Sequence, residues 1–305
     1  MQGLTLKHLR YFEALAQHRH FGRAADACAI SQPALSMQIR DLEEMLGTPL
    51  VERGYREVRM TQFADIFVER ARDILRSVDE LGDLARASRE RLVGRLRIGV
   101  IPTIAPYLLP SIIENLTRTY EGLDIHVRET LTPRLLEELS DGRIDTAIVA
   151  LPISEPSLTE IPLFEERFVL VRPDSEACAP VPNAEGLREM RLLLLEEGHC
   201  FRDQALSFCS MQTVRPWEGL DGSSLSTLVQ MVGMGLGVTL LPEMAVDVEA
   251  QSAAVDVANF AEPQPSRTIG IIWRKTSPLS DQLMQIAELV RDAGKQRRTS
   301  QPGTT

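Results

Sequence analysis

Residues 21–46 read FGRAADACAISQPALSMQIRDLEEML, and this stretch decides how the chain begins. Phe21, Ala24, Ala25 and Cys28 recur at i, i+3, i+4 and i+7, the spacing of one helix face. After the turn Ala29-Ile30-Ser31, the residues Leu35, Ile39, Leu42 and Leu46 repeat that period. Ser31 can cap the second helix, and Pro33 falls in its first turn, where a missing N–H costs no hydrogen bond. Two short helices joined by so short a turn predict a helix-turn-helix. With the Leu35 stripe inward, Pro33, Met37 and Arg40 point out, with Ser36 beside them and Gln32 at the leading end. A recognition helix presents its N-terminal residues to base edges, which is the distribution found here. The pattern alone fits a plain three-helix bundle with a solvated face almost as well.

Upstream, Leu6, Leu9, Phe12, Leu15 and Ala16 supply a further helix. Downstream, residues 50–53 and 57–61 read as two short strands around Gly54, a wing offering Arg53, Arg56 and Arg59 to phosphates. Residues 1–61 therefore predict a winged helix-turn-helix domain. Residues 62–92 form one long helical pattern, with Phe67, Ala71, Ile74, Val78, Leu81, Ala85, Ser88 and Leu92 in steps of four and three. That repeat is a coiled-coil seam and predicts a dimer; packing on its own chain is the alternative.

From Arg95 the pattern alternates. Strands are expected over 96–101, 124–130, 145–151, 168–172, 192–195, 238–241 and 268–273. Helices are expected over 106–120, 133–140, 200–211, 225–234 and 279–293. Alternation of this kind predicts an α/β domain with mainly parallel sheets, spanning 93–300 as two Rossmann-like lobes around a cleft. Ligands in such sheets bind beyond the carboxyl ends of strands, which makes Thr103 and Thr132 candidate contacts or, equally, plain helix caps.

Composition narrows the function classes. The chain has 305 residues, 44% of them hydrophobic and 25% charged, which excludes disorder and collagen-like structure. The net charge is -10, yet residues 1–61 hold eight Lys+Arg against seven Asp+Glu. A near-neutral lobe capable of meeting DNA is thus hidden in an acidic average. No signal peptide is read at the start, and the apolar run 228–246 is broken by Gln230, three glycines, Pro242 and Glu243, so a cytoplasmic chain without membrane contact is expected. The four cysteines, Cys28, Cys178, Cys200 and Cys209, include no CxxC and no zinc spacing; neither metal nor cofactor is expected.

The most informative segment lies at 192–209, LLLLEEGHCFRDQALSFC. Cys200 opens a helix beside His199 and Arg202, an electropositive setting that favours a thiolate, opposed by Glu196, Glu197 and Asp203. Gln204 lies one turn on, within reach of a small polar ligand beside the sulfur. Cys209 is nine positions further, ~13 Å along a continuous helix, whereas a disulfide needs alpha carbons within about 7 Å. Pairing would force this segment to unwind. Spacing alone favours two unrelated buried cysteines.

The stretch LKHLRYFEALAQHRHFGRAADACAISQPALSMQIRDLEEMLGTPLVER (6–53), closed by RMT (59–61), resembles the LysR-type transcriptional regulators, and the resemblance runs along nearly the whole chain. GHCFRDQALSFC (198–209), IPTIAPYLLP (101–110) and RTIGIIWR (267–274) are similar to the peroxide-sensing branch of that family. The resemblance implies a periplasmic-binding-protein-like sensor domain, with Cys200 as the peroxidatic thiol and Cys209 as its resolving partner. It implies that Thr103, Thr132, His199 and Gln204 surround hydrogen peroxide and that Arg267 supports the thiolate. It further implies binding of double-stranded promoter DNA through Ser31, Gln32, Pro33, Ser36, Met37, Arg40 and Arg53, a homodimer or dimer of dimers, and contact with RNA polymerase. TQFAD (61–65) lacks the glycine usual near Asp65, and Met37 replaces a residue that is often polar. A regulator answering a small metabolite in the cleft is the alternative. A thiol peroxidase is disfavoured by the DNA-binding lobe and the missing CxxC.

Overall fold

The computed structural model describes residues 3–52, 58–87, 93–209 and 221–299. The contacts divide the chain into two compact units, Met1–Ala85 and Arg86–Thr305.

In the first unit, α1 (Leu6–His18), α2 (Phe21–Ala27) and α3 (Gln32–Leu46) enclose a core of Phe12, Leu15, Leu35, Leu42 and Leu50, all wholly buried. Each such side chain contributes roughly 1.5–3 kcal/mol on leaving water. Ser31 caps α3, its Oγ accepting from Ala34 N at 3.4 Å. Gly47, at φ 66, ends that helix in the left-handed conformation that a side chain disfavours. Glu43 then ties α3 to the wing, Oε1 accepting from Leu50 N at 2.7 Å and Val51 N at 3.0 Å. The wing base is the antiparallel pair β1 (Val51–Glu52) and β2 (Arg59–Met60). Arg53 and Arg56 lie outside the described residues.

The long helix α4 (Gln62–Ala87) starts without the glycine that the resemblance makes usual near Asp65. Thr61 caps its start: its hydroxyl accepts from Ala64 N at 3.1 Å and donates to Pro49 O at 2.9 Å. The expected seam is corrected in its first turns. Ala71 is buried with Leu9 of α1, and Phe67 packs on Phe12 at 5.5 Å, so both face their own chain. A heptad pattern cannot distinguish a neighbouring helix of the same chain from a second copy. Among the described residues of this helix, the large apolar side chains left open are Phe63, Ile66, Ile74, Leu81 and Leu84. Ser88 and Leu92 fall outside the described residues.

The second unit is one curled sheet. Its strands are β3 (Gly94–Val100), β4 (Leu123–Glu129), β5 (Thr146–Leu151), β6 (Leu158–Pro173), β7 (Thr239–Pro242), β8 (Val255–Asn259) and β9 (Ser266–Arg274). The order is β4-β3-β5-β9-β6-β7, with β8 also paired to β6. Two pairings among these strands are parallel, β3 with β4 and β3 with β5; the others are antiparallel. This corrects the expected mainly parallel sheet. The cause is the 16-residue β6, whose first part pairs with β9 and whose last part pairs with β7 and β8. One strand thus runs through both lobes, and β9 comes back beside it. The expected strand over 192–195 reduces to two isolated bridges, Leu192 to Val238 and Leu195 to Gly222.

Helices α5 (Ala105–Thr119), α6 (Thr132–Ser140), α7 (Ala184–Glu189), α8 (Cys200–Phe208), α9 (Leu225–Gly233), α10 (Val246–Glu249) and α11 (Ser280–Thr299) complete this unit. Gly270, in the middle of β9, has no room for a side chain: a Cβ there would sit 2.3 Å from Leu151. The start of α6, the end of β5, the start of α8 and the start of β9 converge on one cavity. Among the described residues no helix is long and apolar enough to cross a membrane, and no group of three or more His, Cys, Asp or Glu could hold a metal ion.

Candidate functional site: the cavity beside Cys200

Gly198, with φ 95, turns the chain into α8, and His199 occupies the capping position without a side-chain cap bond. Cys200 is the first helical residue and is half-buried. Behind it, Phe201 is buried edge-on against Phe168, 5.0 Å between ring centroids, with the Arg267 guanidinium 5.5 Å from the same ring. Arg202 turns back, donating to Leu195 O at 2.7 Å and pairing with Asp221 at 3.3 Å. At the far end, Phe208 packs on Phe260 at 5.3 Å, and Arg188 of α7 donates to Cys209 O at 2.6 Å. Cys209 caps the helix and is wholly buried. Both cysteines are free thiols. Burial pushes the Cys209 thiol pKa up, and Arg188 pulls partly against it.

The cavity in front of Cys200 has a volume of about 640 Å³. Its polar lining includes Thr132, Cys200, Asp203, Gln204, Arg267 and Thr268. Its apolar lining comes from α6 and from the end of β5 with the segment after it: Pro133, Leu136, Ala150, Leu151, Pro152 and Ile153. Among the described residues, Thr132 Oγ1 and Gln204 Oε1 are buried without a hydrogen-bond partner. Buried polar atoms are nearly always paired, so two such atoms lining one cavity beside a thiol mark a place for a small polar ligand.

Four expected residues, Cys200, Thr132, Gln204 and Arg267, line this cavity; Thr103 and His199 do not. Thr103 is buried and accepts from Arg267, Nη1 to Oγ1 at 2.9 Å and Nη2 to its carbonyl at 3.1 Å. It therefore orients the guanidinium. His199 is also buried, and burial lowers its pKa below the usual 6.5, leaving a neutral imidazole at neutral pH. The electropositive setting expected from His199 and Arg202 is corrected accordingly: one is neutral, and the other is held by Leu195 and Asp221.

Sequence reading missed Glu166. It is buried in β6, accepts from Arg267 Nε at 2.7 Å through Oε2 and from Met244 N at 3.1 Å through Oε1. Desolvation raises its pKa, and the Arg267 charge opposes that rise. In EERF (165–168) nothing marks which carboxylate turns inward. Arg188 was missed too, since its partner is a backbone carbonyl that no motif records.

In the first unit, Ser31, Gln32, Pro33, Met37 and Arg40 are exposed on α3, and Ser36 is half-buried. Beside Gln32 lies a basic cavity of about 530 Å³ lined by Arg19, His20, Arg23 and Arg59. Guanidinium forks of this kind suit phosphate oxygens.

Comparison with known proteins places both units. Residues 6–65 match the bacterial regulatory helix-turn-helix protein, lysR family, and residues 89–295 match the LysR substrate binding domain. The DNA-binding transcriptional dual regulator OxyR of Escherichia coli K12 is 41% identical over 293 residues, 94% of this chain and 95% of that protein. A full-length OxyR variant from Pseudomonas aeruginosa superposes with a TM-score of 0.73 at 37% identity, covering 95% of this chain and 96% of that one. A hydrogen-peroxide-bound mutant of Corynebacterium glutamicum OxyR gives a TM-score of 0.65 at 34% identity, covering 96% and 93%.

Proposed function

Because the chain belongs to the LysR family of transcriptional regulators, in its OxyR branch, we propose that it senses hydrogen peroxide through Cys200 and answers by changing its hold on promoter DNA. The observation carrying this reading is the pair of partnerless buried atoms, Thr132 Oγ1 and Gln204 Oε1, in the cavity that Cys200 lines. Peroxide supplies two O–H donors and two acceptor oxygens, so Gln204 Oε1 accepts from one O–H while the Thr132 hydroxyl exchanges a hydrogen bond with the other oxygen. Arg267, oriented by Glu166 and Thr103, supports the thiolate, and His199 next to Cys200 adds no positive charge, being neutral.

The Cys200 thiolate attacks one peroxide oxygen, the O–O bond breaks, and the departing hydroxide takes a proton to leave as water. Cys200 is then a sulfenic acid. Cys209 attacks that sulfur and water leaves, giving the disulfide. The ~13 Å of helix between the two must first open, because a disulfide allows about 7 Å. The refolded segment alters the lobe surface and with it the subunit arrangement on DNA.

In this reading residues 1–61 contact the duplex: Gln32, Ser36 and Met37 meet base edges, and Ser31, Pro33, Arg40 and Arg53 sit along the phosphates. Residues 62–92 join two copies through the open Ile74 and Leu81 with the half-buried Val78 between them, and residues 93–300 sense peroxide. The working form is a dimer or dimer of dimers in the cytosol, acting with RNA polymerase. The test is peptide mapping after mild peroxide treatment of the parent and of a Thr132→Val, Gln204→Leu variant. The parent should give a Cys200–Cys209 crosslink, and the variant should form the sulfenic acid at least about tenfold more slowly, since each lost hydrogen bond is worth about 1 kcal/mol. A parent whose Cys200 stays reduced contradicts the reading and favours a metabolite regulator.

A further inference from the structure

The cavity beside Cys200 is far larger than hydrogen peroxide requires. A water occupies ~30 Å³ in the liquid, so a peroxide with two oxygens takes roughly 60 Å³. The cavity measures about 640 Å³, within the ~300–1,000 Å³ typical of sites for small organic molecules. Its lining is also divided by chemistry. Thr132, Gln204 and the thiol are polar, whereas Leu136, Ala150, Leu151 and Ile153 offer hydrocarbon to the same space. Hydrogen peroxide has nothing to place against hydrocarbon. A molecule with a peroxide head and an apolar body would use both.

We propose that the Cys200 cavity also takes neutral organic hydroperoxides, ROOH with an alkyl or aryl body, as oxidants of the sensor. The proposal rests on the peroxide-sensing reading of Cys200 and extends it. An aryl hydroperoxide of about eleven heavy atoms, at ~30 Å³ per heavy atom, takes roughly 330 Å³ and fits the cavity. The charges select neutral bodies over carboxylated ones. Asp203 lines the cavity, so a carboxylate on R would meet a like charge. The step balances. The Cys200 thiolate attacks the terminal, hydroxyl-bearing oxygen, the O–O bond breaks, and the alkoxide takes a proton and leaves as ROH. Sulfur is oxidised to the sulfenic acid as the hydroperoxide is reduced to the alcohol. Cys209 then condenses with the sulfenic acid, releasing water as before.

The test compares hydrogen peroxide, cumene hydroperoxide and tert-butyl hydroperoxide on the reduced full-length protein, reading sulfenic acid at Cys200 by trapping and mass spectrometry. Each buried methylene is worth about fourfold in affinity, so the organic oxidants should half-saturate the reaction at concentrations about tenfold or more below hydrogen peroxide. Leu136→Asn and Ile153→Ser should each remove about tenfold of the cumene hydroperoxide rate while the hydrogen peroxide rate stays within about twofold. That second rate also reports that the variants are folded. Oxidation by hydrogen peroxide without oxidation by either organic compound overturns the proposal and leaves the peroxide reading standing. So does an equal loss with all oxidants in both variants. Failure of all three oxidants to modify parental Cys200 overturns the peroxide reading and the proposal together.

Discussion

The two ends of α8 are unlike. Cys200 stands at its start, half-buried and lining a cavity with polar atoms that await a partner. Cys209 closes the same helix nine residues on, wholly buried in the main core with its carbonyl gripped by Arg188. Access and thiolate character decide which thiol oxidises first, and both count against Cys209, which is closed off and whose pKa burial raises. The contrast teaches that one helix can separate a sensing step from a locking step. In the proposed reading, chemistry occurs at the open end, and the closed end joins only when the helix lets go.

The largest expected effect comes from exchanging the cysteines one at a time. Cys200→Ser should abolish both sulfenic acid and disulfide. Cys209→Ser should still form the sulfenic acid but never the disulfide, as read by thiol trapping and intact mass. A disulfide-competent Cys200→Ser protein, or a Cys209→Ser protein that cannot form sulfenic acid, would erase the division of labour.

A smaller effect is expected at Arg188. Its bond to Cys209 O holds the last turn of α8, and a hydrogen bond from a charged group contributes about 1.5–3 kcal/mol. Arg188→Ala should therefore speed conversion of sulfenic acid to disulfide about tenfold in stopped-flow, with formation of the sulfenic acid unchanged. Losing the guanidinium also leaves the Cys209 pKa higher, which works against that gain, but freeing the turn outweighs it. A slower second step would mean that Arg188 serves the thiol more than the helix end.

The smallest effect is pH-dependent. His199 has its pKa lowered by burial, so the unfolded chain binds its proton more readily than the folded one. Stability is then full above about 6.5 and declines as pH falls below it toward the folded value. Melting between pH 7.5 and 5.5 should show this decline, reduced in His199→Gln. An unchanged slope in the variant would place the titration elsewhere.

Much of this was legible in the sequence because it rests on period. Leu35, Ile39 and Leu42 gave the recognition helix through a spacing that only one helix face satisfies. Thr132 was legible because it follows a strand and opens a helix, and Gln204 because it lies one helical turn after Cys200. What escaped depended on partners. Glu166 is an ordinary acidic residue until β9 brings Arg267 to it, 101 positions away. The first half of β6 was given no strand, since Pro162 and the charges of Glu160, Glu165 and Glu166 break the apolar pattern, yet β9 pairs with that segment on both sides of a register shift between Pro162 and Phe164. The four leucines at 192–195 invited a strand because buried apolar runs and strands look alike, yet they make only bridges. Phe67 and Ala71 were placed in the seam because a repeat records spacing and not the identity of the helix opposite.

The central claim is that oxidation requires α8 to unwind, and amide hydrogen exchange over residues 201–208 tests it most directly. In the reduced protein these amides sit in helix and should be protected; with the Cys200–Cys209 disulfide confirmed by mass, protection across the segment should be lost. Equal protection in the two states would contradict the account.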